Sequence, residues 1–160
     1  MEELLGKFDI EDFNNLRFKY YWIATYYSGE GFIKVIKRFG FNVVYLIDRD
    51  SNLPMATLGV DEFKEVLKTK SFMDSIRDFE IIVRDAETFK DFQVGDVVNN
   101  VIDGSVPIEI IFRSHDLVVG QRDLGLTHKI ATGNLTCEEL FDNNYRLEPT
   151  EIEKYLSENN

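Results

Sequence analysis

The sequence predicts an α+β fold in a single domain, residues 1–160, with a mostly antiparallel sheet and helices packed on it. Three observations lead to this prediction. A length of 160 residues is typical of one domain, and 44% hydrophobic residues supply material for a core. Short apolar runs separated by turn-forming residues are typical of antiparallel strands. Two capping motifs near the C-terminus predict two short final helices.

The N-terminal segment, residues 9–27, fits either a helix or a strand. One helical face would collect the apolar residues Phe13, Leu16, Tyr20, Ile23 and Tyr27. Asp9 would be the N-cap of that helix. The strand interpretation depends on the many aromatic and β-branched residues, with residues 28–31 (Ser-Gly-Glu-Gly) as a turn into the apolar run 32–36. The helix is preferred by a small margin.

The middle of the chain alternates strand and helix patterns. A nearly continuous apolar run predicts a buried strand over residues 41–47, which ends in the turn-like residues 48–52. Further predicted strands cover residues 55–60, 79–83, 106–112 and 117–119. A helix is predicted from Asp61, as its cap, to Thr69. A shorter helix is predicted over residues 72–76, and a helix or irregular cover over residues 89–101.

The C-terminal helices are predicted from two capping boxes. Thr136 precedes Glu139 by three positions, and Thr150 precedes Glu153 by the same spacing. In this motif the threonine hydroxyl accepts a hydrogen bond from the glutamate amide, and the glutamate carboxylate accepts one from the threonine amide. Two short helices are therefore expected after residues 136 and 150.

Charge is partitioned along the chain. The net charge is −11, yet residues 16–50 carry +3 and hold ten of the 21 aromatic residues, which leaves −14 elsewhere. Aromatic rings beside lysine and arginine would suit single-stranded nucleic acid, and the candidate stacking residues are Tyr20, Tyr21, Trp22, Tyr26 and Tyr27. The pI of 4.6 argues against direct nucleic-acid binding. The overall charge favours a basic protein as partner.

The compartment is predicted from the single cysteine and from the apolar runs. Cys137 has no second thiol for an internal disulfide, which favours a reducing environment. The first residues are acidic where a signal peptide would be basic, and no apolar run approaches the about 20 residues of a membrane span. We therefore expect a cytoplasmic protein, in the host cell if phage-encoded, with no membrane partner.

The best enzymatic candidate is the pair Asp48 and Asp50 at the end of the strand 41–47. Side chains at i and i+2 of a strand share a face, so both carboxylates could bind one Mg²⁺ ion, with Glu109 as a third ligand. This set resembles the carboxylate triad of the nucleotidyltransferase superfamily, although Arg49 stands where that family has an apolar residue. The resemblance implies metal-dependent phosphoryl or nucleotidyl transfer.

The same pair also resembles the first motif of haloacid-dehalogenase-like phosphatases. Residues 95–100 (Gly-Asp-Val-Val-Asn-Asn) resemble the last acidic motif of that family. Asn52 differs from the Thr or Val of the first motif. The alternative interpretation is a hairpin loop, in which Asp48, Asp50, Ser51 and Asn52 bond to local amides.

Histidine and cysteine chemistry has little support. Residues 113–116 (Arg-Ser-His-Asp) contain the residue types of a hydrolase triad, but consecutive side chains cannot converge on one point. With His128 the only other histidine, structural or solvated roles are expected for both. Cys137 stands at a predicted helix start, where the helix dipole would lower its pKa, but no base is placed beside it.

The acidic ends favour a non-enzymatic binding protein. In composition the chain resembles inhibitors that occupy the basic channels of nucleic-acid enzymes, including phage proteins directed against restriction or CRISPR nucleases and immunity proteins against nuclease toxins. The expected partner is thus a basic protein such as a nuclease. The predicted contact residues are Glu138, Glu139, Asp142, Glu151 and Glu153, with Tyr145 and Tyr155 as aromatic anchors.

Two other classes stay open. The first is the enzyme that uses Asp48, Asp50 and Glu109 with Mg²⁺; the binding protein would need no cofactor. The second is an assembly subunit of a phage or mobile element, in which the aromatic segment is an oligomer interface. The sequence does not predict the oligomeric state.

Overall fold

The computed structural model describes residues 2–125 and 129–159. In those residues the chain forms ten strands and four α-helices. The strands are β1 (Arg17–Trp22), β2 (Tyr27–Arg38), β3 (Phe41–Asp48), β4 (Pro54–Gly59), β5 (Ile76–Ile82), β6 (Val97–Asn100), β7 (Ile108–Ser114), β8 (Leu117–Asp123), β9 (Lys129–Thr136) and β10 (Tyr145–Leu147). The helices are α1 (Glu2–Lys7), α2 (Val60–Thr69), α3 (Cys137–Asp142) and α4 (Glu151–Glu158).

The predicted mostly antiparallel α+β architecture is confirmed in outline. The strand pairs are antiparallel, but they form two five-stranded sheets where the sequence predicted one. The chain divides into two compact units, and the single-domain assignment for residues 1–160 stays a prediction. No helix in the described part of the chain is long and apolar enough to cross a membrane.

Unit 1 contains the residues up to Arg84 and those from Thr150 onward. Its sheet has the order β4-β3-β2-β1-β5. Phe18, Val44 and Leu46 on one face of this sheet are buried in the same cluster as Phe63 of α2 and Ile152 of α4. The alternation of these sheet residues with more exposed ones is the period of two that a half-buried sheet requires.

Unit 2 spans Asp85–Pro149. Its sheet has the order β10-β6-β7-β8-β9. Val98, Ile108 and Val118 from the strands are fully buried in a second cluster with Cys137 and Leu140 of α3. Strands β9 and β10 were not predicted from the sequence. Both lie at sheet edges, and β10 is only three residues long.

The helix predicted over residues 9–27 is wrong. Residues 10–13 form one turn of 3-10 helix, and β1 follows as a strand paired on both sides, with β2 and β5. Phe18 and Tyr20 alternate with the exposed Lys19, so strand spacing buries the aromatic rings in the core. Aromatic residues favour such a pleated, half-buried surface.

The turn predicted over residues 28–31 is also wrong, because these residues lie inside β2. A Cβ atom on Gly29 would lie 2.4 Å from the Tyr20 ring, and one on Gly31 would lie 2.4 Å from Phe18 Cζ. Glycine is therefore needed here because the rings of β1 cover the backbone of the neighbouring strand.

Several predictions for the middle of the chain need correction. Gly59, not Asp61, is the N-cap of α2, and its amide donates to Glu62 Oε1 at 3.1 Å. The helix predicted over residues 72–76 is absent, since β5 already begins at Ile76. Residues 89–101 contain a 3-10 turn, irregular backbone and β6.

The two short C-terminal helices are confirmed with their caps. The Glu139 amide donates to Thr136 Oγ1 at 3.0 Å, and the Glu153 amide donates to Thr150 Oγ1 at 3.2 Å. The reciprocal bonds, from the threonine amides to the glutamate carboxylates, are 3.3 and 3.0 Å. Both helices begin where this local chemistry predicts.

Candidate functional site

An open cleft in unit 1 lies at the end of the sheet where β1 and β3 end and β2 begins. Its volume is about 420 Å³. The residues that line it are Tyr20, Trp22, Tyr27, Asp48, Asp50, Ser51, Leu53, Pro54 and Met55. The antiparallel register pairs Trp22 with Tyr27 and Gly31 with Asp48. Residues that are far apart in sequence are thereby brought to one end of the sheet.

The loop between β3 and β4 positions the two carboxylates. Asp48 Oδ2 accepts a hydrogen bond from the Ser51 amide at 2.9 Å, and the Asn52 amide donates to the Asp48 carbonyl at 2.9 Å. Asn52 has a positive φ of 58°, a conformation that asparagine tolerates. The hairpin-loop interpretation is therefore correct for the path of the backbone and for the side chains of Asp48 and Ser51.

Two tyrosine hydroxyls hold the carboxylates in the cleft. Tyr20 Oη donates to Asp48 Oδ1 at 3.2 Å, and Tyr27 Oη donates to Asp50 Oδ2 at 2.8 Å. Burial, followed by the charge of Asp48, raises the pKa of Tyr20. The hydrogen bond to Asp50 and burial raise the pKa of Tyr27. Both tyrosines therefore stay protonated donors at neutral pH, beside two acidic groups.

Exposed rings form part of the cleft surface. Trp22 is 39% exposed and Tyr27 is 41% exposed, while the neighbouring Leu53 is 64% exposed. Aromatic faces attract cations, and carboxylates form charge-assisted hydrogen bonds with guanidinium and ammonium groups. The only charged residues among the described ones that line the cleft are Asp48 and Asp50. The site therefore suits a cationic side chain.

Arg49 lies between the two aspartates in sequence, but its side chain is paired with Glu30. Its guanidinium forms an ion pair and hydrogen bond with Glu30 Oε2. Glu30 belongs to β2, and the Arg49 amide also donates to the Glu30 carbonyl at 3.0 Å. This pairing neutralises Arg49 locally, so the charge of the loop is set by the aspartates.

The three residues of the metal prediction do not all belong to one unit. Asp48 and Asp50 share the cleft of unit 1, whereas Glu109 lies on β7 of unit 2. The described residues contain no group of three or more His, Cys, Asp or Glu side chains arranged to hold a metal ion. Metal-dependent catalysis stays a prediction, with two of its three proposed ligands in one site.

The motif that resembles a phosphatase sequence has a structural role around Asp96. This side chain is 1% exposed, and Asp96 Oδ2 accepts a hydrogen bond from the Gln93 amide at 2.8 Å. Gly95, with a positive φ of 90°, occupies the same turn before β6. The carboxylate stabilises this turn, as aspartate commonly does in loops.

The acidic contact residues predicted near the C-terminus belong to both units. Glu138, Glu139 and Asp142 are exposed on α3 of unit 2. Glu151 is exposed on α4 of unit 1, where its carboxylate lies 3.3 Å from Lys154 Nζ. Glu139 also caps its helix, so its carboxylate already accepts a hydrogen bond.

Three of the predicted contact residues have structural roles. Glu153 is 1% exposed and pairs with Arg84, and Tyr145 is 6% exposed in the core of unit 2. The ring of Tyr155 packs edge-on against Phe8 at 5.7 Å. We correct the prediction for Glu153, because its buried carboxylate is held inside unit 1 by Arg84. Tyr145 lines an open pocket of unit 2 together with Glu139, so its role as a contact residue stays a prediction.

Cys137 and His115, the remaining candidates in the described part of the chain, show no reactive arrangement. Cys137 is fully buried, and burial raises its pKa above the ordinary value although it lies at the start of α3. His115 is exposed in the turn between β7 and β8, with a φ of 55°. His128 lies outside the described residues.

No protein-family model, curated protein or solved structure matches this chain. The cleft and the charge of the chain are therefore the features that indicate a function. The sequence indicated Asp48 and Asp50 as possible metal ligands, and separately the rings of Trp22 and Tyr27 as possible stacking surfaces. It did not show that these carboxylates and rings lie in the same cleft. The register of strands β1, β2 and β3 could have shown this, but the helix predicted over residues 9–27 excluded that register.

Proposed function

We propose that this chain is a small acidic, non-enzymatic inhibitor or immunity-type protein that acts in the cytoplasm by binding a basic protein. The partner class is a nucleic-acid enzyme, such as a nuclease, and the setting is anti-restriction or anti-CRISPR inhibition or immunity to a nuclease toxin. The observation that carries this proposal is the cleft in which Asp48 and Asp50 lie beside the rings of Trp22 and Tyr27.

The chemistry of the cleft supports a basic partner. Enzymes that act on nucleic acids bind phosphates through lysine and arginine. A carboxylate can take the place of a phosphate, and an aromatic ring can stack on the arginine guanidinium. Asp48 and Asp50 are already oriented by tyrosine hydroxyls, so binding would order few side chains.

The charge of the whole chain supports the same partner class. A net charge of −11 attracts basic surfaces over a distance and accelerates association at low salt. The exposed carboxylates of Glu138, Glu139 and Asp142 on α3 form a second proposed contact set. Glu151 remains a candidate on α4. The two sets make different predictions, which one experiment can separate.

The experiment is affinity capture from host lysate, followed by an activity assay on the captured enzyme. The cleft variant is Asp48→Asn with Asp50→Asn, which keeps an oxygen atom for each tyrosine hydrogen bond. The comparison variant is Glu138→Gln with Asp142→Asn, which leaves the cap residue Glu139 unchanged. Each protein is tested at low and at physiological salt, with and without competing DNA.

We expect the wild-type protein to capture a basic nucleic-acid enzyme in stoichiometric amount and to inhibit it. Salt or DNA should weaken the complex because exposed charges are screened. The cleft variant should lose capture, and the α3 variant should keep most of it. Absence of a stoichiometric partner would contradict the proposal. Loss of capture with the α3 variant alone would contradict the cleft as the contact site.

A further inference from the structure

The hairpin between β2 and β3 ends in an exposed phenylalanine with an unfavourable backbone. Phe39 and Gly40 form the turn, and their φ angles are 52° and 81°. Hairpin turns of this kind prefer asparagine or aspartate before the glycine, because few side chains tolerate a positive φ. Phe39 is nevertheless 99% exposed. Neither the backbone conformation nor packing within the chain explains why a phenylalanine occupies this position.

Other apolar and basic groups surround Phe39. Phe41 is 76% exposed and Ile36 is 45% exposed. Arg38 pairs with Phe41 in the strand register, and its guanidinium lies 5.6 Å from the ring centre of Tyr45. We call residues 36–41 the hairpin tip. It combines aromatic surface with positive charge in a chain that is otherwise acidic.

One acidic residue lies near the hairpin tip. Glu11 Oε1 accepts a hydrogen bond from Asn42 Nδ2 at 3.1 Å. A backbone hydrogen bond and the Asn42 hydrogen bond lower the pKa of Glu11, and the charge of Lys37 contributes to the lowering. Lys37 is therefore partly balanced by Glu11. Arg38 is the cation that adjoins the exposed rings.

The cleft complements the hairpin tip and lies at the other end of the same two strands. The cleft offers two carboxylates, two exposed aromatic rings and a volume of about 420 Å³. Strand β3 begins at Phe41 beside the tip and ends at Asp48 in the cleft. At about 3.4 Å per residue, these seven steps span about 24 Å. The tip of a chain therefore cannot enter its own cleft.

We propose that the hairpin tip of one copy binds the cleft of a second copy. The Arg38 guanidinium would meet Asp48 and Asp50, while the ring of Phe39 would pack against Trp22 and Tyr27. Because the two surfaces differ, the contact is head-to-tail, and repeated contacts form a ring or an open chain. The inference uses the cleft of the proposed function but does not need its partner.

A membrane is a poorer occupant for the same tip. Basic residues attract a lipid surface that carries negative charge, but the net charge of −11 on this chain opposes that approach. The cleft of a second copy offers negative charge and aromatic surface together. This complementarity favours a second copy over a lipid surface.

The test is sedimentation velocity at low salt over concentrations up to the millimolar range. The tip variant is Arg38→Glu with Phe39→Asn, and the cleft variant is Asp48→Asn with Asp50→Asn. Ile102→Asn is the matched control, because Ile102 is 74% exposed in a turn of unit 2. The wild-type protein and the control should associate progressively with concentration. Each variant alone should remain a monomer.

Mixing the two variants gives the decisive result. The intact tip of the cleft variant can bind the intact cleft of the tip variant, so an equimolar mixture should form a dimer and no larger species. A monomeric wild-type protein would overturn the inference, and so would binding to acidic lipid vesicles without self-association. A mixture that stays monomeric, or a cleft variant that still associates alone, would also overturn it. None of these results would alter capture of a basic partner, so the two proposals fail separately.

Discussion

Arg84 and Glu153 form a buried ion pair that fastens helix α4 to the segment after β5. Arg84 Nη2 lies 2.9 Å from Glu153 Oε1, and the Arg84 amide donates to Glu153 Oε2 at 2.7 Å. The two side chains are 5% and 1% exposed. The same carboxylate caps α4 through the Thr150 amide. Glu153, which was predicted as a surface contact from the sequence, therefore stabilises unit 1.

The first prediction concerns removal of this charge. Glu153→Gln should lower the free energy of unfolding by about 3 kcal/mol, because the buried charge of Arg84 then loses its ion pair with the Glu153 carboxylate. Urea unfolding measures this change. Glu151→Gln is the control, since that side chain is 73% exposed, and it should change stability by no more than about 0.5 kcal/mol. Equal effects of the two substitutions would contradict the structural role of Glu153.

The second prediction concerns acid. Burial alone would raise the pKa of Glu153, but the hydrogen bonds and charge of Arg84 outweigh it and lower the pKa below 4.5. A lowered pKa in the folded state contributes stability above pH 4.5, and this stability is lost as pH falls through the lowered pKa. The stability difference between wild type and Glu153→Gln should therefore narrow below pH 4.5. Urea unfolding at a series of pH values measures it, and a widening difference would contradict this sign.

The third prediction tests the close approach of β1 and β3 to β2. A Cβ atom at Gly31 would lie 2.4 Å from the Ile47 carbonyl oxygen and 2.4 Å from Phe18 Cζ. Gly31→Ala should lower the free energy of unfolding by about 2 kcal/mol or more, because backbone must move to make room. Gly6→Ala is the control. Nothing lies within 4 Å of its Cβ position, and alanine favours the helix by up to about 1 kcal/mol.

The fourth prediction concerns how far the positive φ of Phe39 lowers the free energy of unfolding. Phe39→Asn should raise the free energy of unfolding by up to about 1 kcal/mol, because asparagine tolerates a positive φ better than phenylalanine. Thermal and urea unfolding measure the change. Phe41→Asn should do the opposite, since Phe41 lies at the start of β3 and asparagine disfavours strands. A destabilised Phe39→Asn protein would mean that the Phe39 ring contributes to the fold.

Local patterns predicted part of this fold correctly. The capping boxes at Thr136 and Thr150 place two helix starts, because all their hydrogen bonds lie within four residues. The strand at 41–47 is also correct, since an apolar run followed by a turn is a strong signal.

Non-local pairing explains most of what the sequence did not predict. Residues 9–27 satisfy helical spacing, yet β1 gains hydrogen bonds to β2 and β5, which no local window contains. Gly29 and Gly31 resemble a turn until the rings of β1 are placed over them. Tyr20 and Asp48, which meet in the cleft, are 28 positions apart. The cleft could be predicted only from the register of three strands.

Binding of a cationic side chain in the cleft can be detected through Trp22, which is a built-in fluorescent reporter. It is the only tryptophan of the chain, and it lines the cleft. The most direct measurement is a titration of Trp22 fluorescence with an arginine-containing peptide, in wild type and in the Asp48→Asn, Asp50→Asn variant. We predict a saturable change in wild type and at least about tenfold weaker binding in the variant, as the loss of two charge-assisted contacts implies. No saturable change in wild type, or the same affinity in both proteins, would contradict the binding of a cationic side chain by Asp48 and Asp50.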